Sequence, residues 1–409
     1  MNVSIRKYPY PFQCAIAISS DIDNASSLKN FVQFMDFLNT RKQTKYGKGL
    51  DLEIGNSFWF FNSSGSPQLS YFEGLTFNET KMAPIIRSYI KSGHIDTLHS
   101  WGNFDRGGFK REYAKKGLEV CDEFNFKIPV WINHGIGSNF QKIGNYPNMY
   151  GDDPDHNAYH ADIMKKIGCE YVWTGKSTHI IGQNAKTNFS VLIKIFIQWI
   201  LKRTKYRNIT DPIYDDGNNL FNILFLKDSN KMWEFTRYIN SWGNAGILDL
   251  QELSEQLSPT VLNRLISSKG VMVLYTHFNE NLFNEIPKKL YNNLKVLKEM
   301  NLKKNIFITT TSRLLKFWEI SNYITYYIGQ DEKKTNIFLN EFLDTPIGIK
   351  SIDIMHLQGL TFYVDTSKSC KIMFKGKKIN TIINKTDETG RRSISIPWEK
   401  LHYPDVPIL

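Results

Sequence analysis

Two carboxylates stand two residues apart at the end of a β-rich apolar run, Cys14-Ala-Ile-Ala-Ile-Ser-Ser-Asp21-Ile-Asp23. Because alternate residues of an extended chain point to the same side, Asp21 and Asp23 can face one ligand while Ile22 enters the core. Neighbouring carboxylates repel each other unless one takes a proton or a cation lies between them. The run therefore predicts a metal site at the end of a buried strand or, equally, a helix cap formed by Asp23 and Asn24.

Three later predicted strands also carry metal-binding side chains at their ends. These side chains are His99 with Asn103, His134 and His277. Any one such histidine is more often a core or surface residue than a ligand. The carboxyl ends of parallel strands share one face, however, so all of these residues would converge on one pocket. Carboxylate and imidazole ligands are typical of a catalytic zinc or related divalent site, which activates water and polarises a carbonyl group.

The elements that must position these residues alternate along the chain. Strand-like runs near residues 14–21, 56–61, 94–105, 128–135 and 169–174 are separated by amphipathic helices at 24–38, 81–92, 109–124 and 158–167. The alternation resumes with a helix at 249–265, a strand at 270–280, a helix at 287–300, a strand at 306–311 and a helix at 312–320. This order, with polar residues collected at strand ends, predicts a parallel α/β barrel or wound sheet.

Two parts of the chain depart from the repeat. The segment 189–207 is too short in its apolar part to span a bilayer, which needs roughly 20 residues. Its basic flank and Trp199 suit a helix lying on an anionic membrane, whereas a buried helix or lid within an insertion at about 185–247 is the favoured interpretation.

Beyond residue 320, alternating apolar and polar residues predict a small antiparallel β domain. A chain of 409 residues exceeds the size of most single cores, so we expect two domains, 1–320 and 321–409.

Charge and cysteine content narrow the class of protein. The 51 basic and 40 acidic residues give a net charge of +11, which could favour nucleic acid, an anionic membrane or an acidic substrate. The basic residues are scattered and accompany no nucleic-acid motif, so no nucleic-acid partner is expected. Four dispersed cysteines without a CxxC pattern predict reduced, buried thiols. With no signal-peptide core at the N-terminus, we expect a cytoplasmic protein, with peripheral contact to an anionic membrane as the alternative.

The order of these stretches resembles that of the NodB-homology polysaccharide deacetylases, carbohydrate esterase family 4. Asp21-Ile-Asp23 resembles the paired-aspartate motif, and Gly93-His-Ile-Asp-Thr-Leu-His99-Ser-Trp-Gly-Asn103 resembles the motif Gly-His-Glu-Ile-Gly-x-His-Thr-x-x-His. Val273-Leu-Tyr-Thr-His277 looks like the motif of the general-acid histidine, and Trp173 falls where the family has a strand tryptophan. The resemblance covers roughly residues 10 to 320. It implies a distorted (β/α) barrel with a divalent metal, zinc being favoured.

Three departures from the family pattern are visible. The aspartates are separated by Ile22 where the family has them adjacent, and Asn103 replaces the second metal histidine. The segment Asn133-His134-Gly135 stands where the family has a groove arginine. Since asparagine is a weaker zinc ligand than imidazole, His134 is the preferred third ligand, with Asn103 as the alternative. These differences resemble the WbmS-like branch found with O-antigen and capsule biosynthesis.

The resemblance implies removal of an acetyl group, N-acetyl favoured over O-acetyl, from a sugar or glycan during surface polysaccharide synthesis. Asp23, His99 and His134 would hold the metal, Asp21 would be the general base and His277 the general acid. Four residues are expected to line the substrate groove, two of them by stacking on sugar rings: Trp101, Trp131, Asn133 and Asn139. The alternatives are a catalytically inactive sugar-binding barrel, which Asn103 favours, and a metal-dependent amidase acting on a substrate other than a sugar.

Overall fold

The structure is a computed structural model of the chain. It describes residues 3–65, 68–135, 139–208, 213–215, 217–240, 253–331, 334–365 and 370–406. The helices are α1 (Leu28–Asn39), α2 (Ala83–Ser92), α3 (Arg111–Phe124), α4 (Ala161–Lys166), α5 (Phe189–Arg203), α6 (Leu253–Gln256), α7 (Pro259–Ser268), α8 (Glu280–Asn284), α9 (Lys288–Leu302) and α10 (Thr311–Tyr323).

The strands of the first two thirds of the chain are β1 (Ser4–Ile5), β2 (Cys14–Asp21), β3 (Gln43–Thr44), β4 (Gly47–Lys48), β5 (Asn56–Phe58), β6 (Phe61–Asn62), β7 (Ile95–His99), β8 (Gly102–Asn103), β9 (Val130–Ile132), β10 (Tyr171–Trp173), β11 (Ser177–Thr178), β12 (Phe221–Phe225), β13 (Lys231–Phe235), β14 (Arg237–Tyr238) and β15 (Val271–His277). The remaining strands are β16 (Ile306–Ile308), β17 (Tyr326–Asp331), β18 (Lys334–Leu339), β19 (Phe342–Thr345), β20 (Gly348–Ser351), β21 (Thr361–Tyr363), β22 (Cys370–Phe374), β23 (Lys377–Lys378), β24 (Ile382–Asn384) and β25 (Ser393–Ser395).

Two sheets carry the parallel strands that the sequence predicts. Their strand orders are β12-β13-β10-β9-β7-β5 and β11-β14-β15-β2-β16. All neighbours pair in parallel except β12 with β13. All eight residues of β2 are buried, as a strand covered on both faces requires. The mixed α/β class with a parallel core is therefore confirmed.

The two sheets are connected at two places. Strands β13 and β14 are consecutive in the chain with Thr236 alone between them, and they belong to different sheets. Strand β5, at the edge of the first sheet, contacts β2 in the second. Among the described residues, the hydrogen bonds between these core strands form two sheets and no continuous ring.

The region expected to be an insertion, 185–247, is divided by the structure. Strands β12, β13 and β14 lie inside the two sheets, so 221–238 belongs to the α/β core. Residues 209–212, 216 and 241–252 lie outside the described residues. Helix α5 is not the buried helix that was favoured, because Gln198 is its one buried residue and its large apolar side chains are exposed.

The predicted helices form within a few residues of their expected bounds, with two informative exceptions. Helix α1 begins after Ser27, whose hydroxyl accepts from the Asn30 backbone N–H at 3.3 Å, so Asp23 and Asn24 do not cap it. This leaves the Asp23 carboxylate available to another partner. The helix expected at 249–265 is two helices, because Pro259 at the start of α7 cannot continue α6.

The C-terminal region forms two small four-stranded sheets, β17-β18-β22-β23 and β1-β21-β25-β24. Most pairs are antiparallel as expected, but β18 and β22 pair in parallel. The N-terminal strand β1 completes the second sheet, and Arg6 follows it with an ion pair to Asp387 at 3.0 Å. The four cysteines are free and buried, as the sequence predicts.

Candidate metal centre

The carboxyl ends of four parallel strands bring the five predicted acid, base and metal residues together. Strand β2 ends beside β15, with Asp21 in register with His277. Strand β7 ends beside β9, with His99 in register with Ile132 two residues before His134. The prediction that these side chains share one edge of the sheets rests on this topology, and their interatomic distances agree with it.

Asp23, His99 and His134 form one of two groups of possible metal ligands among the described residues, and Asp21, Asp23 and His277 form the other. Asp23 Oδ1 lies 3.8 Å from His99 Nδ1 and 3.5 Å from His134 Nδ1, and His134 Nδ1 lies 3.1 Å from His99 Nε2. One ligand atom from each residue falls within 4.8 Å of the others. Ligands placed tetrahedrally at ordinary zinc distances are separated by about 3.3 Å. The spacing of the three side chains therefore fits a small divalent cation.

One imidazole nitrogen in this group, the buried His99 Nδ1, has no hydrogen-bond partner within the described residues. His134 Nε2 points away from the group and lies 3.5 Å from Asp105 Oδ2. A buried polar atom without a partner is unfavourable, because its hydrogen bonds to water are lost and not replaced. In native proteins such atoms usually bind an ion or a water molecule or take part in a reaction. The donor set of one carboxylate and two imidazoles is the kind that binds zinc. These observations support a metal at this position.

The charges of the group favour ligand-competent forms. Burial would raise the pKa of Asp23, but His99, His134 and His277 outweigh it and hold that pKa well below its usual range. Burial lowers the pKa of His99 to about 4, with partial opposition from Asp23 and Asp21. Asp23 is thus an anion and His99 a neutral imidazole at neutral pH, the forms that coordinate a metal.

His277 lies at the open side of the group. Its Nε2 is 2.9 Å from Asp23 Oδ2 and 4.0 Å from Asp21 Oδ2. About a quarter of its side chain is exposed, compared with 1% for His99. A cavity of about 350 Å³ borders His277, and its lining includes Asn279, Asn281 and Glu285. His277 is therefore the imidazole that a bound molecule can reach.

Arg237 is the main site residue that sequence reasoning missed. Its Nη1 donates to Asp21 Oδ1 at 2.7 Å and its Nη2 donates to Asp21 Oδ2 at 3.0 Å, so the pair is bidentate. The guanidinium lies between the rings of Trp173 and Tyr275, 3.5 and 3.9 Å from their centroids. Burial would raise the pKa of Asp21, but Arg237 lowers it overall. Arg237 thus fixes the Asp21 carboxylate and keeps it ionised.

Asp105 is a second residue that the sequence did not single out. Its Oδ2 lies 3.5 Å from His134 Nε2, and its Oδ1 accepts from Asn139 Nδ2 at 3.2 Å. Burial alone would lower the pKa of His134, but Asp105 and Asp23 raise it. A Cβ atom on Gly135, whose φ is +76°, would lie 1.6 Å from Asp105 Oδ1, so glycine is needed for this approach.

Trp59 supports both imidazoles of the metal group. Its ring stacks on His99 at 5.3 Å between centroids and meets His134 edge-on at 5.1 Å. The indole is fully buried and donates to the Leu69 carbonyl at 2.8 Å. Side chains that touch the ligands from outside fix their orientation, which a metal site requires.

The other predicted site residues make contacts within the protein. The side chain of Asn103 accepts from the Asp105 backbone N–H at 3.2 Å, whereas His134 lies within ligand distance of Asp23 and His99. Trp101 and Trp131 are fully buried and pack edge-on against each other, so neither ring is exposed for stacking on a sugar.

The two predicted groove asparagines hold the loop after β9 in place. Asn133 accepts from Trp131 Nε1 at 2.9 Å and donates to the Ile143 carbonyl at 2.8 Å. Asn139 donates to the His134 carbonyl at 2.9 Å and to Asp105. Both side chains are buried, so their observed contacts are with the protein itself.

No family model matches the chain, and the searches of curated proteins and of solved structures found no significant match. Among the described residues, none of the helices combines the length and the apolar character needed to cross a membrane.

Proposed function

We propose that the protein is a metal-dependent hydrolase, related to the NodB-homology deacetylases, that removes an acetyl group from a sugar. The observation that carries this proposal is the convergence of Asp21, Asp23, His99, His134 and His277 at one edge of the parallel strands. A carboxylate with two imidazoles, next to a second carboxylate and a more exposed histidine, provides a metal site, a base and an acid.

The arrangement of the sheets supports the same family. β13 continues into β14, and β5 contacts β2; these two connections between the sheets support the proposal of a distorted barrel. In parallel α/β folds of this kind, catalytic groups come from the carboxyl ends of several strands, where Asp21, His99, His134 and His277 lie.

In this proposal Asp23, His99 and His134 hold a divalent cation, with zinc favoured by the two imidazole donors. When bound, such a cation lowers the pKa of water and polarises the acetyl carbonyl group. The chain has to keep Asp23 ionised and His99 neutral for binding, and the environment described above does both.

The roles of the protein residues follow from their positions. Asp21, held ionised by Arg237, accepts a proton from the attacking water, whose oxygen forms the new bond to the acetyl carbon. As the carbon–nitrogen bond of an N-acetyl group breaks, His277 gives a proton to the departing amine, and acetate is released. The partly exposed position of His277 beside the cavity gives it access to a leaving group.

The test is acetate release from a panel of N- and O-acetylated sugars and of nucleotide- or lipid-linked acetylated glycans, with and without chelator. We expect the wild type to release acetate and the chelator to stop this release. Asp23→Ala and His99→Ala should neither retain the metal nor release acetate. His277→Ala should retain the metal and lose about 10²- to 10⁴-fold in rate, the usual contribution of a general acid. His402→Ala, a change at an exposed histidine, is the control.

Normal turnover by either Asp23→Ala or His99→Ala would refute the assignment. Elemental analysis of the wild type separates the alternatives. A protein that binds sugar but neither retains metal nor releases acetate is an inactive barrel. A protein that retains metal but acts on amides other than acetylated sugars is an amidase of another substrate class.

A further inference from the structure

Helix α5 is attached to the protein with its polar side facing inward. Gln198 is fully buried, and its Oε1 accepts from the His179 backbone N–H at 2.9 Å and from the Thr178 hydroxyl at 3.2 Å. Lys194, one turn earlier, donates to the His179 carbonyl at 3.0 Å, and Lys202, one turn later, donates to the Tyr214 carbonyl at 3.2 Å. Residues spaced by four share one face of a helix, so this polar stripe is the attachment side.

The opposite side of α5 is apolar and exposed. Its exposed large side chains are Phe189, Leu192, Ile193, Phe196, Ile197, Trp199 and Ile200. Phe189 is 77% exposed and Phe196 is 59% exposed, and the rings of Phe196 and Trp199 are stacked. Helices on protein surfaces normally bury this kind of stripe and expose the polar one. A contiguous apolar patch of this size on a folded protein marks an interaction site.

The charge around the apolar face identifies the kind of partner. From residue 171 to residue 210 the sequence has neither Asp nor Glu. Lys194 and Lys202 lie on the attachment side and Lys176 pairs with Glu234, which leaves four exposed basic residues there: Lys186, Arg203, Lys205 and Arg207. The Arg203 guanidinium lies over the Trp199 ring, 4.2 Å from its centroid. Arginine and tryptophan side by side at the end of an apolar helix face are typical of the boundary between lipid headgroups and acyl chains.

We propose that α5 docks the protein onto an anionic lipid membrane, with its apolar face in the headgroup region and its basic end on the lipid phosphates. A helix of 15 residues is about 22 Å long and lies along such a surface. A second copy of the chain is a poorer occupant, because it would bring a like-charged, acid-free segment against this one. An anionic bilayer complements both the apolar stripe and the positive charge.

The attachment point relates the docking helix to the strand-end centre. Thr178, which contacts Gln198, belongs to β11, and β11 pairs with β14, the strand that carries Arg237. Docking through α5 would therefore fix the orientation of this edge of the sheets relative to the lipid surface.

The test is co-sedimentation of the full chain with vesicles of phosphatidylcholine alone and of phosphatidylcholine mixed with phosphatidylglycerol. We expect binding to the anionic vesicles that high salt weakens. Phe196→Gln/Trp199→Gln should reduce the partition coefficient at least about tenfold. Lys205→Glu/Arg207→Glu should reduce binding to anionic vesicles by about tenfold or more and leave the weak binding to neutral vesicles unchanged.

Matched controls come from exposed residues of the C-terminal sheets. Phe342→Gln/Ile349→Gln removes two side chains that are 52% and 73% exposed, and Lys377→Glu/Lys378→Glu reverses two exposed charges. Both control variants should bind anionic vesicles like the wild type. All substitutions are at exposed positions, so far-UV circular dichroism and thermal unfolding should be unchanged.

Absence of wild-type binding to anionic vesicles would overturn the proposal, as would binding that survives both α5 variants. A wild type that is dimeric by sedimentation equilibrium, becomes monomeric in Phe196→Gln/Trp199→Gln and binds neither kind of vesicle would assign the face to a second copy instead. Acetate release in solution is measured separately, so failure of membrane binding leaves the hydrolase proposal standing.

Discussion

Two groups of charged side chains in the described residues differ in how their charges are balanced. The first is the strand-end site: Asp21, Asp23, His99, His134 and His277. The second is a glutamate–lysine cluster, in which Glu319 is fully buried and the other three members are half-buried: Glu170, Glu319, Lys316 and Lys350. Comparison of the two groups shows what each is suited to do.

In the glutamate–lysine cluster every carboxylate has a permanent cation. Lys350 donates to Glu170 and to Glu319, each at 2.7 Å, and Lys316 donates to Glu170 at the same distance. The fully buried Glu319 also accepts from Tyr171 at 2.5 Å and Trp233 at 2.7 Å. Burial alone would lower the pKa of Lys350, but the two glutamates raise it. The two negative and two positive charges of the cluster balance each other. The cluster links β10, β20 and α10.

At the strand-end site, only one of the two carboxylates is paired with a permanent cation. Within the described residues, Arg237 is the one permanent cation in contact with these carboxylates, and it binds Asp21. Asp23 faces imidazoles only, and the buried His99 Nδ1 has no hydrogen-bond partner among the described residues. A largely enclosed carboxylate without a cation is unfavourable, which is consistent with the metal proposed for this site. The glutamate–lysine cluster is a structural tie, and the strand-end site has the properties of a binding site.

The largest effect is expected from opening the closed cluster. Glu319→Gln removes the fully buried anion of the cluster and leaves the half-buried ammonium groups of Lys350 and Lys316 with Glu170 alone, which should lower the free energy of unfolding by about 3 kcal/mol in urea denaturation. Glu299→Gln, a change at an exposed glutamate of α9, should stay within about 0.5 kcal/mol. Equal stability of the two variants would show that the cluster is not a tie.

The next largest effect is the pH dependence of stability that burial of the His160 imidazole causes. His160 is fully buried, donates from Nε2 to the Gln141 carbonyl at 2.7 Å, and has its pKa lowered by burial to about 4. Since the unfolded chain binds a proton near pH 6.5 and the folded chain does not, stability falls as pH drops through 6.5 and stops falling near 4. The loss from this residue approaches about 3 kcal/mol.

His160→Gln should remove this part of the pH dependence, whereas exposed His402→Gln should keep it. Urea denaturation between pH 7 and pH 4, followed by tryptophan fluorescence, measures the difference, because Trp101 and Trp131 contact His160. Parallel pH profiles for wild type and His160→Gln would contradict the prediction.

A divalent cation should stabilise the open site and leave the closed cluster unaffected. Zinc at a hundredfold excess over its dissociation constant should raise the free energy of unfolding by about 2.7 kcal/mol relative to chelator. Asp23→Asn should lose this gain, while Glu319→Gln, though destabilised, should retain it. Lack of a gain in the wild type, or an equal gain in Asp23→Asn, would count against the metal site.

The smallest effect is expected from Asp23→Asn in chelator. Because the neighbouring imidazoles can be neutral, removing this charge leaves no permanent cation unpaired, and the loss should stay below about 1 kcal/mol. Asp21→Asn provides the contrast, since it leaves Arg237 buried without its carboxylate and should cost about 3 kcal/mol or more. Urea denaturation of both variants tests the comparison, and a larger loss for Asp23→Asn would reverse it.

Much of the strand-end site could be predicted because the positions of its residues depend on short-range sequence patterns. Alternation of apolar residues sets each strand, and the first polar residues beyond the strand are delivered to the sheet edge. This reasoning placed Asp21, Asp23, His99, His134 and His277 together, and the distances agree. It failed for Trp101 and Trp131, because an aromatic residue near a strand end can turn into the core as easily as toward a groove.

Contacts between distant segments could not be read from the chain. Arg237 lies 216 residues from Asp21 and follows β13 in a region that looked like an insertion. Glu319 sits on a helix pattern that a surface glutamate would fit equally well. For α5, the short apolar run with its basic flank left a membrane-surface helix and a buried helix or lid open, and the direction of its apolar face depended on which side Gln198 and Lys194 attach.

Outside the region 185–265, the sequence by itself determined the order of the main α/β strands and helices and the residues that stand at the strand ends, because both follow from short-range periodicity and from the shared edge of parallel strands. Only the tertiary structure decided which carboxylate receives a permanent cation, which is left facing imidazoles, and which helix face meets solvent. Those outcomes depend on pairings across hundreds of residues, where no local pattern in the chain specifies the partner.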